Sequence, residues 1–181
     1  MDPRITCCFS GHQPEKMPGH TMAGPAVPPT LNAALSHAIC AAVQDGYHLF
    51  VTGMSRGFDL WAAQTVLKLR RQLPIRLVCA IPFPAMPQAW SNGWRTCYRE
   101  VLRRADAAYT LSSRYTPDCY YVRNRFMVDH ASRLICWFDG TPGGTAFTYR
   151  CAKRRGLDFV NLSTAEKDAA TPSDLSTIPS R

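Results

Sequence analysis

The chain has no window of about 18 consecutive apolar residues, which excludes a long membrane-spanning helix. Its opening stretch Met1 to Gly11 lacks the extended apolar run and small-residue cleavage site of a secretory signal. A cytoplasmic protein with no membrane partner is therefore expected. No two of the eight cysteines have the C-x-x-C spacing of a structural zinc site, and His12, His20, His37, His48 and His130 form no ligand pattern with them, so no metal is expected. There is also no repeat of fixed period and no basic amphipathic stretch, which sets aside solenoids and membrane-surface helices.

What is present fits one compact domain. At 181 residues and 46% apolar content the chain is long enough to enclose a core. Cys7, Cys8, Cys40, Cys79, Cys97, Cys119, Cys136 and Cys151 are scattered, several within apolar runs such as Leu77-Val78-Cys79-Ala80, and read as buried free thiols rather than a disulfide framework. The formal charge is +8. The segment from Ser163 onward carries Lys167 and Arg181 against Glu166, Asp168 and Asp174, so the basic surplus belongs to the rest of the chain. A surplus of that size favours anionic partners, whether phosphates or nucleic acid.

Patterning predicts strands at Arg4 to Ser10, Tyr47 to Thr52, Ile75 to Ile81, Ala107 to Leu111, Arg133 to Phe138 and Asp158 to Leu162, each short and apolar on both faces. Between them, helices are predicted from Thr30, as N-cap, to Gln44 with Gly46 as the stop, and near Phe58 to Leu73, Trp90 to Arg104, Cys119 to Ala131 and Thr145 to Arg155. Lys16 to Pro29 is rich in proline and glycine and reads as an irregular loop. This alternation demands a mostly parallel sheet covered on both faces, a single Rossmann-like three-layer α/β/α domain over residues 1–162. Residues 163–181 have little to bury and read as a flexible tail.

In such a fold ligands bind beyond the carboxyl ends of the strands, where helix N-termini and turn amides converge. Three glycine-bearing strand-to-helix turns stand there: Ser10-Gly11-His12-Gln13-Pro14, Gly53-Met54-Ser55-Arg56-Gly57-Phe58-Asp59, and Asp139-Gly140-Thr141-Pro142-Gly143-Gly144-Thr145. Gly53 and Gly57 let the backbone approach a phosphate or ribose, while Asp59 either caps its helix or accepts from a ribose hydroxyl. Gly143, Gly144 and Thr145 offer amides, a hydroxyl and a positive helix end in one place, either an anion cradle or a plain Gly-Gly loop with a threonine cap. Arg123 and Asn124 lie in a predicted helix that either aims a guanidinium and an amide at the same pocket or, with Arg125, presents a solvated basic face. Trp61, Trp90, Trp94 and the tyrosines at 98, 115, 120 and 121 either stack on a base or pack the core; Trp90 and Trp94, one turn apart, read mainly as packing.

At these residues the chain resembles the SLOG superfamily, and within it the YpsA-like family of small bacterial proteins, whose first strand ends in a T-G-H-R-P-like turn. The resemblance runs in order through Ser10-Gly11-His12-Gln13-Pro14, then Gly53, Gly57, Asp59, Trp61, Ala62 and Ala63, then Pro82-Phe83, Tyr121-Val122-Arg123-Asn124-Arg125 and Gly143-Gly144-Thr145-Ala146 with Ala152-Lys153. It covers roughly Arg4 to Leu162. It implies a Rossmann-like fold, a nucleotide-like small-molecule partner, and room for a homodimer. The opening turn departs from the family in having Gln13 where arginine is usual, which removes a charge that would meet a phosphate.

Relatives within the superfamily, the cytokinin-activating phosphoribohydrolases and the DNA-processing protein DprA, give three readings. The first is a sensor, carrier or sequestering protein for an ADP-ribose- or NAD-like molecule, with no resident cofactor. The second is an N-glycosidic hydrolase, which needs a carboxylate at the anomeric carbon. Against enzyme activity, the phosphoribohydrolases resemble P-G-G-x-G-T-x-x-E in their phosphate turn, whereas here Pro142-Gly143-Gly144 runs into Thr145-Ala146-Phe147-Thr148 with no glutamate. Asp59 and Asp139 are the carboxylates left to substitute. The third is single-stranded DNA binding, with Arg150, Lys153, Arg154 and Arg155 as its patch, although cations at a helix end also suit the helix dipole.

Overall fold

The computed structural model describes residues 1–17, 19 and 24–163. Six strands alternate with five α-helices: β1 (Thr6–Gly11), α1 (Pro29–Gln44), β2 (Leu49–Thr52), α2 (Phe58–Leu69), β3 (Arg76–Ile81), α3 (Asn92–Arg104), β4 (Ala107–Thr110), α4 (Cys119–Asp129), β5 (Arg133–Trp137), α5 (Gly144–Arg154) and β6 (Asp158–Asn161). All neighbouring strands are parallel, in the order β4-β3-β2-β1-β5-β6. The chain winds outward from β1 to β4, then returns to the other side of β1 for β5 and β6. The order therefore reverses between β1 and β5, where a doubly wound sheet opens a crevice at its carboxyl edge.

The period of two along each strand divides the core into two layers. Cys7 and Phe9 of β1, Phe50 of β2, Leu77 and Cys79 of β3, and Ile135 and Trp137 of β5 face the layer under α1, α2 and α3. Cys8, Val51, Val78, Ala80, Leu134 and Cys136 face the layer under α4 and α5. Among the described residues the cysteines are all unbridged, and six are buried, with Cys40 and Cys97 half-buried. Burial pushes the Cys7, Cys79 and Cys136 thiols up to about 12, which makes them packing groups rather than nucleophiles.

Local chemistry explains where elements start and stop. α1 begins at Pro29 with Pro28 at the cap, so Thr30 lies inside the helix and is not its N-cap. Proline at the first helical position presets φ and lacks only an amide hydrogen that the helix cannot use there. The exit is as read from sequence: Gly46 has φ +94°, with Tyr47 N–H donating to Ala42 O and Gly46 N–H to Val43 O. β4 departs from the expectation of strands apolar on both faces. It is one of the two sheet edges, Ala108, Tyr109 and Thr110 are exposed, and only one neighbouring strand protects it. Ser163, assigned to the tail by composition, is buried, and its hydroxyl donates to Phe138 O at 2.6 Å. Residues 164–181 lie outside the described residues, as does part of the Lys16 to Pro29 loop.

Candidate functional site

At the carboxyl edge of the sheet lies a cleft of about 420 Å³ lined by residues from the β1, β2 and β5 turns and from the start of α4. Ser10, Gly11, His12, Gln13, Ser55, Asp59, Arg123, Asn124, Gly144 and Thr145 converge on it from segments far apart in sequence. Among the described residues a second depression, between α2 and α3, holds none of them.

Two glycines make this convergence sterically possible. A Cβ on Gly11 would stand 2.3 Å from the Phe58 ring, so only glycine lets the start of α2 close onto the end of β1. A Cβ on Gly53 would stand 2.2 Å from Arg123 Nη1 and 2.7 Å from Asp59 Oδ2, so its absence makes room for that charged pair. Gly57, at φ +81°, turns the chain into α2.

One half of the site is a closed polar network. His12 is buried at the end of β1, and its Nε2 lies 3.0 Å from Asp139 Oδ1 and 3.2 Å from Thr141 Oγ1. Its Nδ1 lies 3.3 Å from Thr145 Oγ1 in the first turn of α5. The backbone amide of Thr141, followed by the Thr141 hydroxyl and His12, holds the Asp139 carboxyl down at about 2. The Asp139 carboxylate only accepts, so the tautomer that fits this geometry carries its proton on Nε2 and presents Nδ1 as acceptor to the Thr145 hydroxyl. Gly144 and Thr145 open α5, where the first-turn amides lack intrahelical acceptors and the dipole is positive. Asn124 Nδ2 donates to Gly144 O at 3.2 Å and fixes α4 against this helix end.

The other half is not closed. Asp59 and Arg123 are both buried, with Nη1 and Oδ2 3.7 Å apart, within ion-pair range but too long for a hydrogen bond. Asp59 Oδ2 accepts from Ser55 N–H at 3.3 Å. Arg123 Nε donates to Asn124 Oδ1 at 2.7 Å and Nη2 to Ser55 Oγ at 3.2 Å. Among the described residues Asp59 Oδ1 and Arg123 Nη1 form no hydrogen bond, while the Ser55 and Gly11 amides favour the Asp59 carboxylate. Burial pushes the Asp59 carboxyl up to about 6 against the pull of Arg123, and burial lowers Arg123 from its ordinary value.

The remaining sequence-selected residues shape the backbone rather than the cleft wall. Met54 is fully buried with φ +62°, Gly53 and Gly57 lie behind the wall, and Gly140 and Gly143 are exposed turn residues at φ +99° and +149°. Asp139 acts on the cleft through His12. Arg123 is buried and not part of a solvated basic face, whereas Arg125 is exposed. Sequence reasoning missed Lys16 and Pro117 in the lining, and it left Tyr120 and Tyr121, which also line it, open between stacking on a base and packing the core. The two tyrosines directly precede Val122-Arg123-Asn124, and that adjacency was the available signal. Trp61, Trp94 and Tyr98 are core, but Tyr115, Tyr120 and Tyr121 are exposed.

A family model described as the YspA SLOG family matches residues 7–159. The chain is 25% identical over 130 residues to a UPF0398 protein of Bacillus thuringiensis strain Al Hakam, covering 70% of this chain and 71% of that one. It is 27% identical over 129 residues to a UPF0398 protein of Halalkalibacterium halodurans, covering 69% and 68%. Among solved structures it is similar to DNA processing protein A (DprA) from Streptococcus pneumoniae, with TM-score 0.58 and 13% identity over 85% of this chain and 48% of that chain. It is also similar to DprA from Helicobacter pylori, described for its single-stranded DNA binding mode, with TM-score 0.57 and 12% identity over 87% and 64%. The chain thus spans about half of the first DprA and under two thirds of the second, and at these identities the likeness concerns the fold.

Proposed function

Because this chain belongs to the YspA SLOG family, we propose that its cleft binds a nucleotide or nucleotide-derived small molecule of the ADP-ribose or NAD kind, as a sensor, carrier or sequestering protein. One observation carries this reading: an anion-attracting helix start and a buried carboxylate–guanidinium pair with unmet hydrogen-bonding capacity line the same cleft. A phosphate on the Gly144–Thr145 amides matches the helix dipole. A sugar hydroxyl both donates and accepts, which suits Ser55 Oγ, on the cleft lining beside the Asp59–Arg123 pair.

Single-stranded DNA is the second reading, favoured by the DprA fold likeness and the basic surplus. The test is a thermal-shift series of the full chain with AMP, NAD, ADP-ribose and a short oligonucleotide, each mixture then analysed by mass spectrometry. A ligand at 100 times its Kd stabilises the protein by about 2.7 kcal/mol through mass action. A shift with an intact small nucleotide, weakened in Ser55→Ala and Thr145→Val, supports the proposal. A shift with the oligonucleotide alone, falling steeply with salt, replaces it with DNA binding, and conversion of a ligand replaces it with hydrolysis.

A further inference from the structure

Exposed large apolar side chains are concentrated in one segment of the chain. Among the described residues they are Tyr109, Tyr115, Tyr120, Tyr121 and Val122, all between β4 and the start of α4. Such groups scattered singly mean little, but a cluster marks a contact surface. Tyr115 is 60% exposed yet held: its ring meets Phe83 edge-on at 5.5 Å, and Tyr120 meets the same Phe83 at 5.9 Å. Phe83 is buried just beyond the carboxyl end of β3. One anchored ring therefore positions two tyrosines, Tyr120 in the cleft wall and Tyr115 outside it.

Position along the sheet sets what the outer ring meets. The anion cradle follows β5 and Phe83 follows β3, three strands away in the sheet order. At ~4.8 Å per strand the two strand ends are roughly 14 Å apart, and Tyr115, in the loop after β4, packs on Phe83 next to Tyr120. Tyr120 shares the cleft with the cradle, whereas Tyr115 lies outside its lining. Arg114, beside Tyr115, and Arg125, one turn after Tyr121, are exposed and form no ion pair among the described residues. Asp118, at the α4 cap, is the acidic neighbour on this segment.

Resting on the nucleotide reading of the cleft, we infer that the site takes a ligand of two nucleoside units joined through phosphate, with the first base against Tyr120 and the second stacked on Tyr115. Arg114 and Arg125 balance the added phosphate charge. Tyrosine faces accept any base, so this outer position adds affinity without choosing the base. The same chemistry occurs in a dinucleotide cofactor with a 5′–5′ pyrophosphate and in a 3′–5′-linked single strand.

Calorimetric titration of the full chain with AMP, ADP-ribose, NAD and the dinucleotide pApA tests this. At least one two-base ligand should bind about 5-fold or more tighter than both AMP and ADP-ribose, the latter carrying the added phosphate and second sugar but no second base. Tyr115→Ala should remove that surplus and leave AMP binding unchanged, and Tyr115→Trp should retain it. A surplus for NAD assigns the cofactor link, and one for pApA the strand link. Equal binding of AMP and both two-base ligands overturns the inference, as does a surplus that survives Tyr115→Ala. If none of the four binds, the nucleotide reading of the cleft itself fails.

Discussion

The two halves of the cleft are built from the same kinds of polar group but finished differently. Around His12, both ring nitrogens have partners and the Asp139 carboxylate is met by Thr141 and the imidazole. Around Asp59 and Arg123, one oxygen and one nitrogen stay unmet in a buried setting. A closed network rigidifies what it joins, here the end of β1, the β5 turn and the start of α5. An open one stores desolvation that only a partner can relieve. The contrast separates a half whose polar groups satisfy one another from a half in which, among the described residues, two do not.

The comparison breaks most forcefully at Arg123. Replacing it with Met leaves Asp59 buried without its counter-charge and should destabilise the protein by about 3–5 kcal/mol in urea unfolding at pH 8. The loss should shrink at pH 5, where Asp59, pushed up to about 6, takes a proton. Loss of the same size at both pH values would mean that packing, not charge, makes Arg123 matter.

Next in size is the pH dependence, in which the two carboxylates act with opposite sign. Asp59 has a folded pKa of about 6 against an ordinary 3.8, so its contribution is fully present below pH 4 and is lost as pH rises through 6. Two pKa units set a ceiling of roughly 3 kcal/mol on that fall. Asp139 is held down at about 2, so its contribution is present above pH 4 and is lost as pH falls through 2. Its carboxylate is near the surface, which makes this arm the weaker one. Melting temperatures from pH 2 to 7 should show that Asp59→Asn removes the fall and Asp139→Asn flattens the rise.

How much of this was legible in the sequence differs between fold and site. Alternating apolar runs and amphipathic stretches specify the strands and helices because burial on both faces of a parallel sheet leaves few other arrangements; the glycine stop at Gly46 is equally explicit. The exposed edge at β4 was not legible, since Ala107 to Leu111 reads like its buried neighbours and only the strand order leaves it uncovered. In the site, glycine turns pointed to strand ends that the structure gathers around one cleft, but not to the task of each residue. Gly53 is needed for the space above it, Met54 for its backbone, and Asp139 for its grip on His12. Tyr120 and Tyr121 were left open because helical spacing assigns aromatics to a core without saying which turn of α4 overhangs a cleft.

The finest test of the comparison is Thr145→Val set beside Ser55→Ala. Valine fills the shape of threonine but removes the hydroxyl that satisfies His12 Nδ1, so the closed half loses about 1 kcal/mol of stability. Removing the Ser55 hydroxyl frees Arg123 Nη2 in the half that is already open, and its first consequence should be weaker nucleotide binding rather than a lower melting temperature. Thr145→Ser keeps the hydroxyl and should behave as wild type in both measurements, which separates hydrogen bonding from side-chain volume. If Ser55→Ala lowered stability more than Thr145→Val did and left binding untouched, the unmet groups at Asp59 and Arg123 would be a structural cost of the fold, and the ligand would have to be sought on the His12 side alone.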